Sequence, residues 1–424
     1  TSSGGAVSVT GTGGGTGSSG DNFGVYVLGG GMITSAGTGS GATVTVMGNG
    51  GTAATSSANY GVFVTGLNST ITSSGGNVSV TGTGGGSGTS FLDHGVFVSN
   101  SGQITAGNLG KVTVQGTSGS GTSGSNFGVY VLNSNSKITS SGGDVSVTGI
   151  GSATGTQQHI GIFVSSGSQI SAIGTGKVTL VGNGGNTTAD GGGGNIGVVV
   201  EGANSSVLSV DGDIHVTGTG GGAGTATNNA GILLASTGKI SASGAGKVTL
   251  IGYGGNTTGE SSNNYGISVQ SGARVLSAGG GINATGTGGG SGGGTVNHGI
   301  EMTDGSEIAA VGTGKVTLIG YGGNPAGTGF VNNGIYLFGA LTRASTVNGE
   351  LSVTGTGGSG SDGVSLVFGK LLSTNGPIMV VGTAGSNGVG VVQTDAASIT
   401  SSGGDISIGD TGGYYPNSPG TDVS

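Results

Sequence analysis

The sequence predicts an all-β fold: a parallel β-solenoid with three strands per coil and about 12 coils of about 34 residues. Two observations carry this. A six-residue pattern, Asn59-Tyr60-Gly61-Val62-Phe63-Val64, returns at Asn22, Asn126 and Asn264, and its glycine recurs at Gly24, Gly61, Gly95, Gly128, Gly161, Gly197, Gly231, Gly266, Gly299, Gly334, Gly363 and Gly388. The other observation is composition. The chain has 109 glycines, a level that points to disorder when it lacks a period, but here Val and Ile recur in fixed columns and 32% of residues are apolar. That is enough to line one narrow, continuous core.

Each repeat contains three short segments with the apolar-polar alternation of a strand that has one buried face. Strand a is Val7-Ser8-Val9-Thr10-Gly11, returning as Val78-Ser79-Val80-Thr81-Gly82 and Val145-Ser146-Val147-Thr148-Gly149. Strand b is the six-residue pattern. Strand c centres on an isoleucine, as at Ile33, Ile71, Ile104, Ile138, Ile170, Ile240, Ile308 and Ile399, followed by the small residues a tight corner needs. Successive a strands start 33 to 37 residues apart, and the last two intervals shorten to 27 and 28. Residues 1–409 read as one solenoid and 410–424 as a C-terminal tail or cap. A longer period overlies the first: odd coils enter strand a through Ser140-Ser141-Gly142-Gly143-Asp144-type turns and even coils through Gly174-Thr175-Gly176-Lys177-type turns. A two-coil unit of about 68 residues is the expected unit of duplication.

In a stacked parallel solenoid, equivalent residues of neighbouring coils lie above one another, so columns carry the information. Positions one and three after the strand-b glycine form the core, from Val25 and Val27 to Val389 and Val391. Two residues before that glycine stand Asn22, Asn59, Asp93, Asn126, His159, Asn195 and their successors, a pattern that predicts an amide ladder at a corner. The residue before strand a alternates in charge (Lys111, Asp144, Lys177, Asp213, Lys247), which turns stacked repulsion into attraction and discourages a one-coil slip. The middle position of strand b points outward. It carries Tyr26, Phe63, Phe97, Tyr130 and Phe163, a stripe that reads either as a contact surface or as ground covered by the long a–b loop.

Chemistry is harder to find. A carbohydrate-cleaving solenoid needs carboxylates converging on one outer face. The best cluster is His298, Glu301, Asp304 and Glu307, followed by Asp211, Asp213 and His215, and neither repeats its carboxylates in the same columns of adjacent coils. Both read as solvated surface charge, so no catalytic, cofactor-binding or metal-binding residue is assigned. The glycine runs do not open helices, so they lack the context of a phosphate cradle. The net charge of −8 and nine basic residues that form no cluster along the chain argue against nucleic acid as a partner. With no Cys, disulfide frameworks and thiolate metal sites are excluded, and no apolar run reaches the length of a membrane helix.

The segments SSGGDVSVTG and GKVTLVGNGG, with NFGVYV between them, resemble the β-strand repeats of large bacterial surface proteins of the autotransporter and filamentous-haemagglutinin type. The resemblance covers nearly the whole chain but specifies fold better than function. It implies a right-handed solenoid, as parallel crossovers favour, exported to the surface of a Gram-negative-like cell and acting as an adhesin shaft or fibre. Surface glycans are then candidate partners, with a carbohydrate-binding or carbohydrate-cleaving protein as the alternative. Val7 and Val9 would form a bare first rung, so head-to-tail association into filaments is also expected, with no cofactor.

Overall fold

Glycine pairs close every coil before the last, where Asp410 takes the a-strand position. A Cβ built on Gly116, the fifth residue of its a strand, would fall 2.0 Å from the carbonyl oxygen of Gly128, the residue before strand b. A Cβ on Gly128 would in turn lie 2.2 Å from the Ile150 nitrogen of the next coil. The two backbones touch, and no side chain fits at either place.

The structure is a computed structural model that describes residues 1–155, 158–185, 192–256, 259–412, 414–416 and 422–423. Three strands, β1 (Val7–Thr12), β2 (Val25–Leu28) and β3 (Met32–Ser35), begin a series that runs in the same order to β37 (Ile406–Thr411), β38 (Tyr414–Pro416) and β39 (Asp422–Val423). Every third strand pairs with its equivalent one coil away, giving three parallel sheets of 13 strands each. No helix occurs among the described residues. The solenoid with three strands per coil is therefore as the columns predict.

Alternate residues of each strand face one continuous core. Val129, Val131, Ile138, Val145 and Val147 from three successive strands are fully buried, and the same columns run nearly the length of the rod. Branched side chains dominate because each must fill the space between two stacked neighbours, and burying one contributes roughly 1.5–3 kcal/mol.

One register assignment changes. The twelfth strand-b glycine is Gly390, not Gly388, because Val364 pairs with Val391 and Leu366 with Gln393. The reason is loop length: Gly382 to Gly390 spans the same eight residues as Gly355 to Gly363 in the coil before. The inward residues of that coil are thus Val391 and Gln393 rather than Val389 and Val391. Gln393 is fully buried and donates from Nε2 to the Ala397 carbonyl at 2.8 Å.

The two-coil period has a cause at the end of strand c. Ser140 stacks between Ala106 and Ala172. Its hydroxyl donates to the Gly110 carbonyl of the preceding coil at 2.7 Å and accepts from the Gly143 amide at 2.9 Å. Ser35, Ser73, Ser209 and Ser277 make the same bond to a carbonyl one coil back. From Ser73 to Ala310 a serine-held turn is stacked on a turn that begins with alanine and lacks this hydroxyl.

The charge column also stacks. Lys111 meets Asp144 at 2.8 Å, Lys177 meets Asp213 at 3.4 Å and Lys315 meets Glu350 at 2.9 Å. Asp144 and Asp213 each accept, in addition, a backbone amide from the next lysine. Burial is slight, so these pairs contribute little individually and serve register more than stability.

The amide ladder runs in two stretches, from Asn22 to Asp93 and from Asn195 to Asn297. Asn195, Asn229, Asn264 and Asn297 bond in series, each Nδ2 donating to the next Oδ1 at 2.9–3.1 Å, and all are fully buried. Asn126 instead turns its Nδ2 to the Gly121 and Ser123 carbonyls. Next in the column, His159 offers no amide, and neither buried ring nitrogen meets a side-chain partner among the described residues. Its backbone amide still donates to Asn195 Oδ1 at 3.1 Å. Restoring the amide with His159→Asn should raise stability by about 1 kcal/mol, the usual net contribution of a hydrogen bond. Thermal melting checks this, and a lower midpoint in the variant would contradict it.

Candidate contact surface

The corner before strand b sets every side chain of the outward stripe. Three residues before the glycine, Asp21, Ala58, Leu92, Ser125, Gln158, Asn228 and Asn263 all adopt φ between 50° and 66°, a left-handed turn repeated coil after coil. The next residue then points inward to the amide ladder, and the one after it points outward beside strand b. This last column contains Phe23, Tyr60, His94, Phe127, Ile160 and Ile196.

Two aromatic columns result. In the first, Tyr26, Phe63, Phe97, Tyr130 and Phe163 stack in sequence with ring centroids 4.9–5.0 Å apart and interplanar angles of 12° or less. That separation is the strand spacing itself. In the second, Phe23, Tyr60, His94 and Phe127 stack at 4.9–5.2 Å. Rings of the two columns meet edge to face, as Tyr60 does with Phe63 and Phe97. Such contacts suit the ring quadrupole and add to the value of burial.

The stripe is consequently half-sheltered by its neighbouring column. Tyr26 at the end is 42% exposed and Phe97 in the middle only 8%. Farther on, aliphatic residues take over: Ile160, Ile196, Val199 and Ala230 are buried with Phe127 in a second, external apolar cluster. The column before the glycine went unassigned in the sequence, although the repeated Phe or Tyr beside that glycine was its signal.

Burial sets the titration of the ladder and of the column beside it. It pushes the His94 imidazole down to about 3, His298 to about 3 and His159 to about 4. It raises the phenols of Tyr60 and Tyr265, with nearby carboxylates adding to the effect. Glu301 accepts from Ser268 at 2.8 Å, and burial holds its carboxyl above the usual range despite that bond.

The candidate carboxylate clusters do not converge. Glu301 belongs to β26 (Ile300–Met302) in the b sheet, Glu307 opens β27 (Glu307–Ala310) in the c sheet, and Asp304 is exposed at the corner between them. Glu307 is clasped from both sides: Arg274 Nε lies 2.7 Å from Oε2, and Arg343 Nη2 lies 2.7 Å from Oε1. In the second cluster, Asp211 accepts the Ala245 amide at 3.2 Å, Asp213 pairs with Lys177, and His215 Nε2 lies 3.1 Å from Thr217 Oγ1. Each of these groups has a structural partner. No group of three or more His, Asp or Glu that could hold a metal ion occurs among the described residues.

One reading of the charges is corrected. The basic residues do cluster in space: Lys239, Arg274, Arg343 and Lys370 share one strand-c column, with Glu307 at its centre. A separation of 27 to 36 residues along the chain conceals neighbours one strand apart. Among the described residues no helix is long and apolar enough to cross a membrane. No protein-family model, curated protein or solved structure matches this chain.

A buried neutral histidine makes stability depend on pH. Because the folded His94 titrates near 3 and an unfolded histidine near 6.5, the unfolded state binds the extra proton first as pH falls. Its contribution is complete above about pH 6.5 and declines by about 1.4 kcal/mol per unit below that, toward the folded value. His94→Phe keeps the stack but loses the bond from the Phe127 amide to Nδ1, 3.2 Å long. The variant should be about 1 kcal/mol less stable at pH 7 and more stable than wild type at pH 4.5. Melting curves at the two pH values check the reversal, and a difference that does not change with pH would contradict it.

Proposed function

We propose that this chain is a non-enzymatic structural segment of an extracellular filament or surface adhesin, a rod whose ends join further coils. The observation that carries this reading is the stacking of 13 strands in each of three parallel sheets, one cross-section repeated from coil to coil. Open parallel edges on an apolar cross-section favour addition of another coil. Contact between the first coil of one rod and the last coil of another is heterologous, and it propagates as a filament rather than closing as a dimer.

Two further features support the reading. The polar groups with perturbed titration are tied into ladders rather than gathered in a cleft, as in Asp93, which accepts from Ser90 and Asn59. The resemblance of the repeats to autotransporter and filamentous-haemagglutinin surface proteins favours an exported shaft on a Gram-negative-like cell. Twelve coil intervals at about 4.8 Å give a rod of about 58 Å.

Sedimentation and electron microscopy of the purified chain test this proposal. At micromolar concentration the rods should lengthen in multiples of about 58 Å, and Val9→Lys, which places a charge on the open rung, should restrict them to single units. A species that remains monomeric at every concentration would overturn the assembly reading.

A further inference from the structure

We propose that two grooves beside the a strands form a binding site for an extended, neutral, β-linked polysaccharide, with Tyr253 and Tyr321 as its platforms. The two tyrosines end β22 (Val248–Tyr253) and β28 (Val316–Tyr321), and they are 47% and 45% exposed. Strand register places Thr219, Tyr253, Thr287, Tyr321 and Thr356 in one column. Two aromatic rings are thus separated by one threonine coil, about 9.6 Å apart on the strand spacing.

Each tyrosine borders its own groove. One, of about 480 Å³, is lined by Thr219, Tyr253 and Asn256 with glycine backbone and Ala223. The other, of about 590 Å³, is lined by Tyr321, Asn324, Thr287 and Thr356, again with glycine backbone and small residues. The local sequence Gly-Tyr-Gly-Gly-Asn is identical at 252–256 and 320–324. Asn256 and Asn324 adopt φ of 53° and 55°, and each donates from Nδ2 to a carbonyl one coil back at 2.7 Å, Gly224 and Gly292 respectively. The grooves are therefore two copies of one site.

The chemistry of the lining selects the ligand class. Among the described residues no charged side chain lines either groove, so phosphate, sulfate and uronate groups gain no counter-charge from them. An exposed tyrosine offers an apolar face with a polar tip. A pyranose has the complementary character, with C–H groups on its faces and hydroxyls around its rim. The threonine hydroxyls and glycine amides of the walls are ordinary partners for those hydroxyls.

Asn256 is built into the wall of its groove. It is 3% exposed, its Nδ2 is spent on the Gly224 and Ala226 carbonyls, and its Oδ1 has no partner among the described residues. The Asn256 side chain therefore holds the wall of the groove in place rather than reaching into it. The two-coil spacing then chooses among neutral glycans. An extended β-1,4-linked chain presents the same face once per disaccharide, over a length close to two coils, whereas a coiled glucan does not keep that period. The inference goes beyond the assembly reading and does not depend on it.

Isothermal titration with cellohexaose and chitohexaose tests the proposal, with laminarihexaose and a heparin hexasaccharide as comparisons. At least one of the two extended sugars should bind wild type and exceed both comparison sugars. Tyr253→Ala and Tyr321→Ala should each weaken that binding about tenfold, the loss of one stacking platform, and the double variant should abolish it. Tyr26→Ala, a change on another face, should leave it intact. Both tyrosines are exposed, so melting curves and sedimentation of the double variant should match wild type, which separates failure of this site from failure of assembly. Absence of binding by either extended sugar at millimolar concentration, undiminished binding in the double variant, or a preference for a comparison sugar would overturn the proposal.

Discussion

Backbone contact between paired glycines is the constraint on which the rest of this rod depends. Gly116 against Gly128, and its equivalents in the coils before the last, leaves no room for a methyl group. The a and b strands are thereby drawn to one fixed approach, and the cross-section of every such coil is set by it. Coils of one shape can stack in register. Only then do columns of like residues form, and everything notable in the molecule is a column.

Stacking at the strand spacing converts weak local preferences into long-range order. A single exposed Lys–Asp pair contributes little, but Lys111, Asp144, Lys177 and Asp213 in succession make a one-coil slip place like charges together. A lone buried asparagine would be a liability, yet four in series satisfy one another. The aromatic columns obey the same logic, since rings 4.9–5.0 Å apart cover each other's faces and leave only the end of the stripe open. The price of this economy is sensitivity to a wrong residue, and His159 marks where the ladder fails.

How much was legible in the sequence follows from where the information lies. The three strands per coil, their inward residues and the amide and charge columns could be read because period-two alternation and a fixed repeat appear directly in the chain. The shift from Gly388 to Gly390 could not, because Gly388-Val389-Gly390-Val391 fits the pattern in two frames and only the loop length of the neighbouring coil separates them. The second aromatic column was missed because His94, Ile160 and Ile196 interrupt a run of Phe and Tyr, and volume rather than residue type is what repeats there. The basic column of Lys239, Arg274, Arg343 and Lys370 was hidden because proximity in a solenoid is measured across coils, not along the chain. The tyrosine grooves lay in plain view as Gly-Tyr-Gly-Gly-Asn, but their meaning needs the depth beside each ring, which a pattern of letters does not contain.

If register-locked stacking is the source of stability, then protection must be a property of position along the rod. A coil in the middle is held by two neighbours and a terminal coil by one. Native-state hydrogen exchange of the a-strand amides measures this directly. The account predicts protection that rises smoothly from β1 and β37 to a maximum around β16 (Val178–Asn183) and β19 (Ile214–Thr219). Uniform protection along the rod, or rapid exchange in the central coils with slow exchange at the ends, would contradict it.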